Sequence, residues 1–292
     1  MKIKEIHAKA ILTRNKSPEY WFGVDCNINM YKGCQHGCIY CDSRSHCYHI
    51  DDFDNEVLVK VNGPELLDEA LSKKRQKLTI GSGAMSDCYM PIEKIYELMK
   101  QSLEIIEKYQ MRLHIATKSK LILRDIDLIE KISGRYANIA VTITTADDTL
   151  AKVIEPQAAS STDRFDIIRQ LRDRKIIAGI LLQPQLPFLM EDRQHIEGII
   201  EGAVKSDASF IIPAFGMTLR DGNREYYYNK LKDFTPGLVD KYIKRYGNDY
   251  GVGIVNYKKV KPYFTQLCKE NNISTKMPVY KEPNNGEQIS LF

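Results

Sequence analysis

Six short runs rich in β-branched residues alternate with longer helical patterns along this chain, and that alternation limits the fold more than any other feature. The runs lie at 22–28, 77–80, 113–116, 139–143, 176–181 and 209–212, several of them followed by Gly, Thr or Pro. Helical patterns fall between them at 64–74, 91–109, 121–132, 163–174 and 193–205. The second of these puts Ile92, Ile95, Leu98, Met99, Leu103 and Ile106 on one side at helical spacing. Strands that alternate with helices imply βα units and a parallel sheet, because parallel neighbours need crossover helices. Such a sheet is doubly wound or curls into a full or partial barrel; the pattern leaves both open. In either case reactive residues are expected at the carboxyl ends of the strands. With 292 residues, 43% hydrophobic and 27% charged, the chain has enough core for one large α/β domain with an appendage, which excludes disordered, collagen-like and coiled-coil classes.

The longest apolar runs, such as 176–182 around Gly179, fall far short of the roughly 18 residues that span a bilayer. The opening Met1-Lys-Ile-Lys-Glu-Ile-His breaks its apolar residues with charges, so no secretory signal is expected. A cytoplasmic protein without membrane association is the expectation. Five of the seven cysteines (Cys26, Cys34, Cys38, Cys41 and Cys47) lie within 22 residues, and in a reducing compartment such crowding points to metal, not disulfides.

Cys34-Gln-His-Gly-Cys38-Ile-Tyr-Cys41 spaces three thiols by three and then two residues just after the first strand run. Three soft ligands on one tight loop, eased by Gly33 and Gly37, can grip three corners of a cubane iron–sulfur cluster and leave the fourth iron open. A zinc site completed by Cys26, Cys47, His36 or His46 is the alternative, although a second paired Cys-x2-Cys element is missing.

This spacing, with the aromatic Tyr40 before the third cysteine, resembles the signature of radical S-adenosylmethionine (SAM) enzymes. The wider order narrows the resemblance to the spore-photoproduct-lyase-like branch. It covers about residues 20–215, roughly two-thirds of the chain, on Asn29-Met-Tyr-Lys-Gly through the cysteines to Asp-Ser-Arg, then Gly83-Ala-Met-Ser-Asp-Cys-Tyr-Met-Pro-Ile-Glu, Ala116-Thr-Lys-Ser, Thr142-Ile-Thr-Thr and Ile154-Glu-Pro. The resemblance implies a partial (β/α)6 barrel at 21–215, after an N-terminal arm at 1–20 and before a mainly helical extension at 216–280 and a flexible tail at 281–292. It implies a [4Fe–4S] cluster on Cys34, Cys38 and Cys41 whose open iron chelates SAM, with reduction by a donor such as flavodoxin or ferredoxin. The 5′-deoxyadenosyl radical released would abstract hydrogen from a substrate.

By matching position the resemblance also implies SAM contacts. Gly81, Ser82 and Gly83 stand where the family meets the SAM amino group, and Ser86 and Asp87 follow in the same loop. Lys118 stands where a lysine reaches the SAM carboxylate, with Lys120 as the alternative cation; Thr142 and Thr144 end the fourth strand, Tyr40 flanks the cluster, and Glu155 lies near the site or ends a helix. Photoproduct lyases carry a hydrogen-donating cysteine just before the Ser-Asp pair; here that position is Ala84, and Cys88 lies just after the pair. Cys88 is therefore either a displaced hydrogen donor or a small buried residue, and Cys268 is expected to pack.

Residues 220–281 hold 13 Lys/Arg against 6 Asp/Glu, a net of +7 that leaves −3 for the rest, together with nine of the 17 tyrosines. This is either a solvated helical face backed by aromatic core or a surface for nucleic acid. The tail residues Gln288, Ile289, Ser290, Leu291 and Phe292 resemble the peptide that binds the bacterial sliding clamp, with Leu291 and Phe292 suited to an apolar pocket. The expectation is a DNA-associated radical SAM enzyme that repairs a lesion or photoproduct. Modification of a peptide, protein or small molecule is the alternative, and a non-enzymatic metal-binding nucleic-acid module a remote one.

Overall fold

The computed structural model describes residues 1–18, 22–48, 50, 52–53 and 55–282, so the clamp-like peptide at 288–292 lies outside the described residues. Six parallel strands form in sequence order: β3 (Cys26–Ile28), β6 (Thr79–Ser82), β7 (Arg112–Thr117), β8 (Ala137–Thr142), β9 (Ile177–Leu182) and β10 (Ile211–Pro213). Their register aligns Ile80 with Leu113, Ile115 with Ile139 and Ile180 with Ile211, all with no exposed surface. Each such side chain contributes about 1.5–3 kcal/mol by leaving water. Each strand passes to its neighbour in order, so the sheet winds in one direction and stays open between its edges, as a partial barrel does.

The helices on the outer face are α1 (Gly63–Ser72), α2 (Glu93–Tyr96), α3 (Leu98–Lys108), α4 (Ile126–Ser133), α5 (Asp148–Ile154), α6 (Ser161–Asp173) and α7 (Arg193–Lys205). Two depart from the sequence pattern. The single helix expected over 91–109 is broken at Glu97, which takes the left-handed conformation (φ 49°). Glu93 explains the break: its fully buried carboxylate accepts the α3 backbone amides of Met99 at 3.0 Å and Lys100 at 3.2 Å, caps that helix, and is bonded by Tyr31 Oη and by Arg124 Nη2 at 2.7 Å. The pattern expected over 121–132 begins as a 3₁₀ turn, Lys120–Asp125, before α4.

Among the described residues, 1–18 carry two strands. β1 (Lys2–Ile6) pairs in parallel with β5 (Glu56–Lys60), which also pairs with β4 (Tyr31–Lys32); β2 (Leu12–Arg14) adds an antiparallel edge to the main sheet through β3. Short polar strands of this kind lack the apolar runs that reveal the central ones.

Beyond β10 the chain divides. The ribbon β11 (Gly216–Thr218) and β12 (Gly251–Gly253) joins α8 (Asn223–Phe234) and α9 (Leu238–Tyr246) in a second core, where Tyr227, Tyr242 and Tyr246 pack with Cys38, Ile39 and Tyr40. Helix α10 (Tyr257–Glu270) instead returns to the main core through Val260, Phe264 and Cys268. The segment after it caps the edge of β10, Ile211 N donating to Ser274 O at 2.8 Å, and reaches the amino-terminal ends of the strands, where Tyr136 and Asn138 donate to Pro278 O. Among the described residues no helix is long and apolar enough to cross a membrane.

Because Glu93 is buried among groups that all need its charge, Glu93→Ala is expected to lower stability by about 3 kcal/mol, most of it from the stranded Arg124 and the uncapped α3. Chemical denaturation measures this, and a change below about 0.5 kcal/mol would remove Glu93 as the cause of the helix break.

Candidate active site

The carboxyl ends of the barrel strands open on one cavity of about 860 Å³, lined by the cysteine loop, the loop after β6, the ends of β7 and β8, and the ribbon β11–β12. Cys34, Cys38 and Cys41 all line it as free thiols. Burial pushes the Cys34 thiol up to about 12, with the charge of Asp87 adding to it, and raises Cys38 as well. Thiols so placed become ligands only where a metal centre replaces their protons. No three His, Cys, Asp or Glu side chains converge on a single-ion point among the described residues. A cubane cluster gives each thiolate its own iron, so it does not need such convergence.

Asp87 ties the walls of this cavity together. One oxygen lies 3.0 Å from His36 Nε2 and accepts the Lys118 amide at 2.7 Å; the other accepts Thr117 Oγ1 at 2.7 Å and the Tyr89 amide at 2.9 Å. Burial opposes the charge, but His36 and the two amides outweigh it and hold the carboxyl well below the usual range. Asp87 thereby joins the loop between Cys34 and Cys38 to the end of β7. Its oxygens are spent within the protein.

Lys118 lines the cavity with its Nζ 5.9 Å from the centre of the Tyr40 ring. Burial disfavours its charge, but Cys38 and Glu155 more than compensate and raise its pKa. Lys120, the alternative cation, turns outward to Asp163 at 2.8 Å. Beneath Tyr40 lies a buried ion pair, Glu155 with Arg164 at 2.5 Å, both without exposed surface. Glu155 also accepts from Tyr40 Oη and from Thr144 Oγ1 at 3.1 Å, while Arg164 donates to the Thr142 carbonyl at 3.0 Å. Burial raises the Glu155 carboxyl, and Arg164, Lys118 and Tyr40 together bring it below its ordinary value.

The remaining expected residues separate into two groups. Gly83, Ser86 and Thr142 line the cavity, and Gly83 has φ 98° with the Ala116 carbonyl oxygen 1.9 Å from where a Cβ would sit, so no other residue fits. Gly81, Ser82, Thr144 and Cys88 do not line it. A Cβ on Gly81 would meet Val24 and Asn27, Ser82 donates to the Ile28 carbonyl at 3.3 Å, and Cys88 packs in the main core with burial raising its thiol.

Arg164 and Asp42 are residues that pattern reading left without a role, and His36, weighed there only as a zinc ligand, instead pairs with Asp87. Asp42 accepts Thr218 Oγ1 at 2.8 Å and Tyr48 Oη at 3.0 Å, which joins the cysteine loop to the ribbon. The one usable signal was position: His36 and Asp42 sit within or beside the cysteine spacing itself.

The model of the radical SAM superfamily matches residues 28–196. An uncharacterized protein of Methanocaldococcus jannaschii is 35% identical over 200 residues, 68% of this chain and 73% of its own. An uncharacterized protein of Mycobacterium tuberculosis is 27% identical over 75% of this chain and 66% of its own length. In structure the chain is similar to spore photoproduct lyase complexed with dinucleoside spore photoproduct (TM-score 0.66, 13% identity, 92% of this chain and 79% of that one). It is also similar to Streptococcus suis SuiB bound to S-adenosylmethionine (TM-score 0.52, 10% identity, 85% and 48%). The family match covers more than half of the chain and includes the cysteine loop and strands β6 to β9: this protein belongs to the radical SAM superfamily, whose members use a [4Fe–4S] cluster and SAM.

Proposed function

We propose that this protein is a DNA-associated radical SAM enzyme that abstracts hydrogen from a damaged base or photoproduct. The observation that carries the proposal is the single cavity on which three cysteines of the barrel and a cation-bearing, tyrosine-flanked ribbon of the C-terminal region both open. The fold shared with a lyase whose structure holds a dinucleoside photoproduct supports it, as does the net charge of +7 over residues 220–281.

The donor set fits the cofactors. Cys34, Cys38 and Cys41 would hold the cluster, and Lys118 would meet the SAM carboxylate as a compact ammonium. The backbone at Gly83, with Ser86 and Thr142, would supply polar contacts, and the Tyr40 ring would wall the site. When bound, the cluster and SAM supply a 5′-deoxyadenosyl radical by reductive cleavage, given an electron donor such as flavodoxin or ferredoxin. Glu155 and Arg164 fix Tyr40 and the end of β8, and Asp87 fixes the cysteine loop against β7. The ribbon forms one wall of the cavity.

Three outcomes test the proposal. Anaerobic SAM cleavage by the reconstituted protein is expected to rise severalfold with ultraviolet-irradiated DNA over intact DNA, and to vanish in Cys38→Ala. Cleavage indifferent to DNA would move the substrate to a peptide or metabolite, and turnover retained in Cys38→Ala would remove the cluster assignment. Asp87→Ala is expected to cost about 3 kcal/mol of stability and to speed iron loss to a chelator; unchanged iron release would reduce Asp87 to a turn residue. Removing residues 288–292, which we propose to dock on a sliding clamp, is expected to abolish clamp capture in a pull-down; equal capture by both forms would end that assignment.

A further inference from the structure

Lys118 and Arg220 are the lysine and the arginine among the described residues that line the cavity, one at the end of β7 and one just past β11. The cofactor reading engages Lys118 and leaves Arg220 without a task. Arg220 is held on three sides. Its Nη2 donates to Tyr250 Oη at 2.7 Å, its Nη1 to Cys47 Sγ at 3.2 Å, and its Nε lies 3.4 Å from Asp42 Oδ1. The one carboxylate among these partners, Asp42, is already shared with the hydroxyls of Thr218 and Tyr48. The contacts orient the guanidinium more than they neutralise it, and two of its five N–H donors remain.

We propose that Arg220, framed by Tyr48 and Tyr250, binds a backbone phosphate of a single nucleic-acid strand whose reacting nucleotide enters the cavity. This rests on the DNA reading above and deepens it. A planar guanidinium matches the oxygens of a phosphate. The ring centres of Tyr250 and Tyr48 stand 4.8 and 5.6 Å from its central carbon, and Tyr250 is 52% exposed, so an uncovered ring is available for a base beside the bound phosphate. Asp42 follows Cys41 directly in the chain, so the same loop that carries the third thiol also fixes the distance of Arg220 from it. An acidic peptide would find the cation but would make little use of the two rings.

The test is the salt dependence of binding of a labelled thymidine octamer to the reconstituted full chain with SAM, followed by fluorescence anisotropy, with thymidine monophosphate and a Glu-rich peptide as competitors. Losing one phosphate contact in Arg220→Gln is expected to reduce the slope of log K against log salt by about 0.7 and to weaken binding. Arg220→Lys, which keeps the charge, is expected to keep the slope while binding less tightly, and it controls for folding. Octamer binding with the same slope in wild type and Arg220→Gln would overturn the phosphate contact and leave the DNA reading standing. Binding of the monophosphate alone, lost in Arg220→Gln, would overturn the strand and keep the phosphate subsite. Displacement by the peptide but not by the monophosphate would overturn the phosphate assignment in favour of a carboxylate. Wild-type protein that binds none of the three would overturn both readings.

Discussion

The Asp87 carboxylate is the constraint on which the site depends. Three hydrogen-bond donors and the His36 imidazole, from three parts of the chain, meet on its two oxygens: His36 within the cysteine loop, Thr117 and Lys118 at the end of β7, and Tyr89 in its own loop. Taking a carboxylate out of water is costly, and the cost is met only where every acceptor position is filled. That requirement makes the arrangement rigid: if either wall moves, the charge is left buried without its partners. The cysteine loop is thus held in one position relative to the strand that carries Lys118.

A buried ion pair performs the same task beneath Tyr40. Glu155 and Arg164 lie under Tyr40 and reach the end of β8 through Thr142 and Thr144. The two networks preorganise the cavity that Lys118 lines. Asp42 then extends the order outward, because it anchors the ribbon through Thr218 and restrains Arg220. Barrel floor, cysteine loop and C-terminal roof are therefore linked by polar contacts from residues adjacent to the thiols.

The central strands were legible because both of their faces are buried and they read as runs rich in β-branched residues, as at 139–143. The N-terminal strands were not, since β1 is exposed along most of its length and reads as a polar arm. The break at Glu97 was hidden because the apolar spacing continues through it; only the buried Glu93 cap reveals it. In the site, spacing alone singled out the three cysteines, whereas the choice between Lys118 and Lys120 needed the direction each takes past the end of β7. The tyrosines of the C-terminal region show why composition misleads: Tyr227, Tyr242 and Tyr246 are core, and Tyr250, at the cavity mouth, is one of the rings left to solvent. Arg164 carries no motif that marks it, and although His36 and Asp42 sit in or beside the cysteine spacing, their ties to Asp87 and Thr218 could not be read because those partners are distant in sequence.

The central claim is that three thiols on one loop hold a cluster with an iron open to SAM. The most direct measurement is the iron and acid-labile sulfide content of the anaerobically reconstituted protein, with the electron paramagnetic resonance of its reduced form recorded before and after SAM is added. The account predicts about four irons and four sulfides per chain and a spectrum that SAM alters. One zinc per chain without sulfide, or a cluster signal that SAM leaves unchanged, would contradict it.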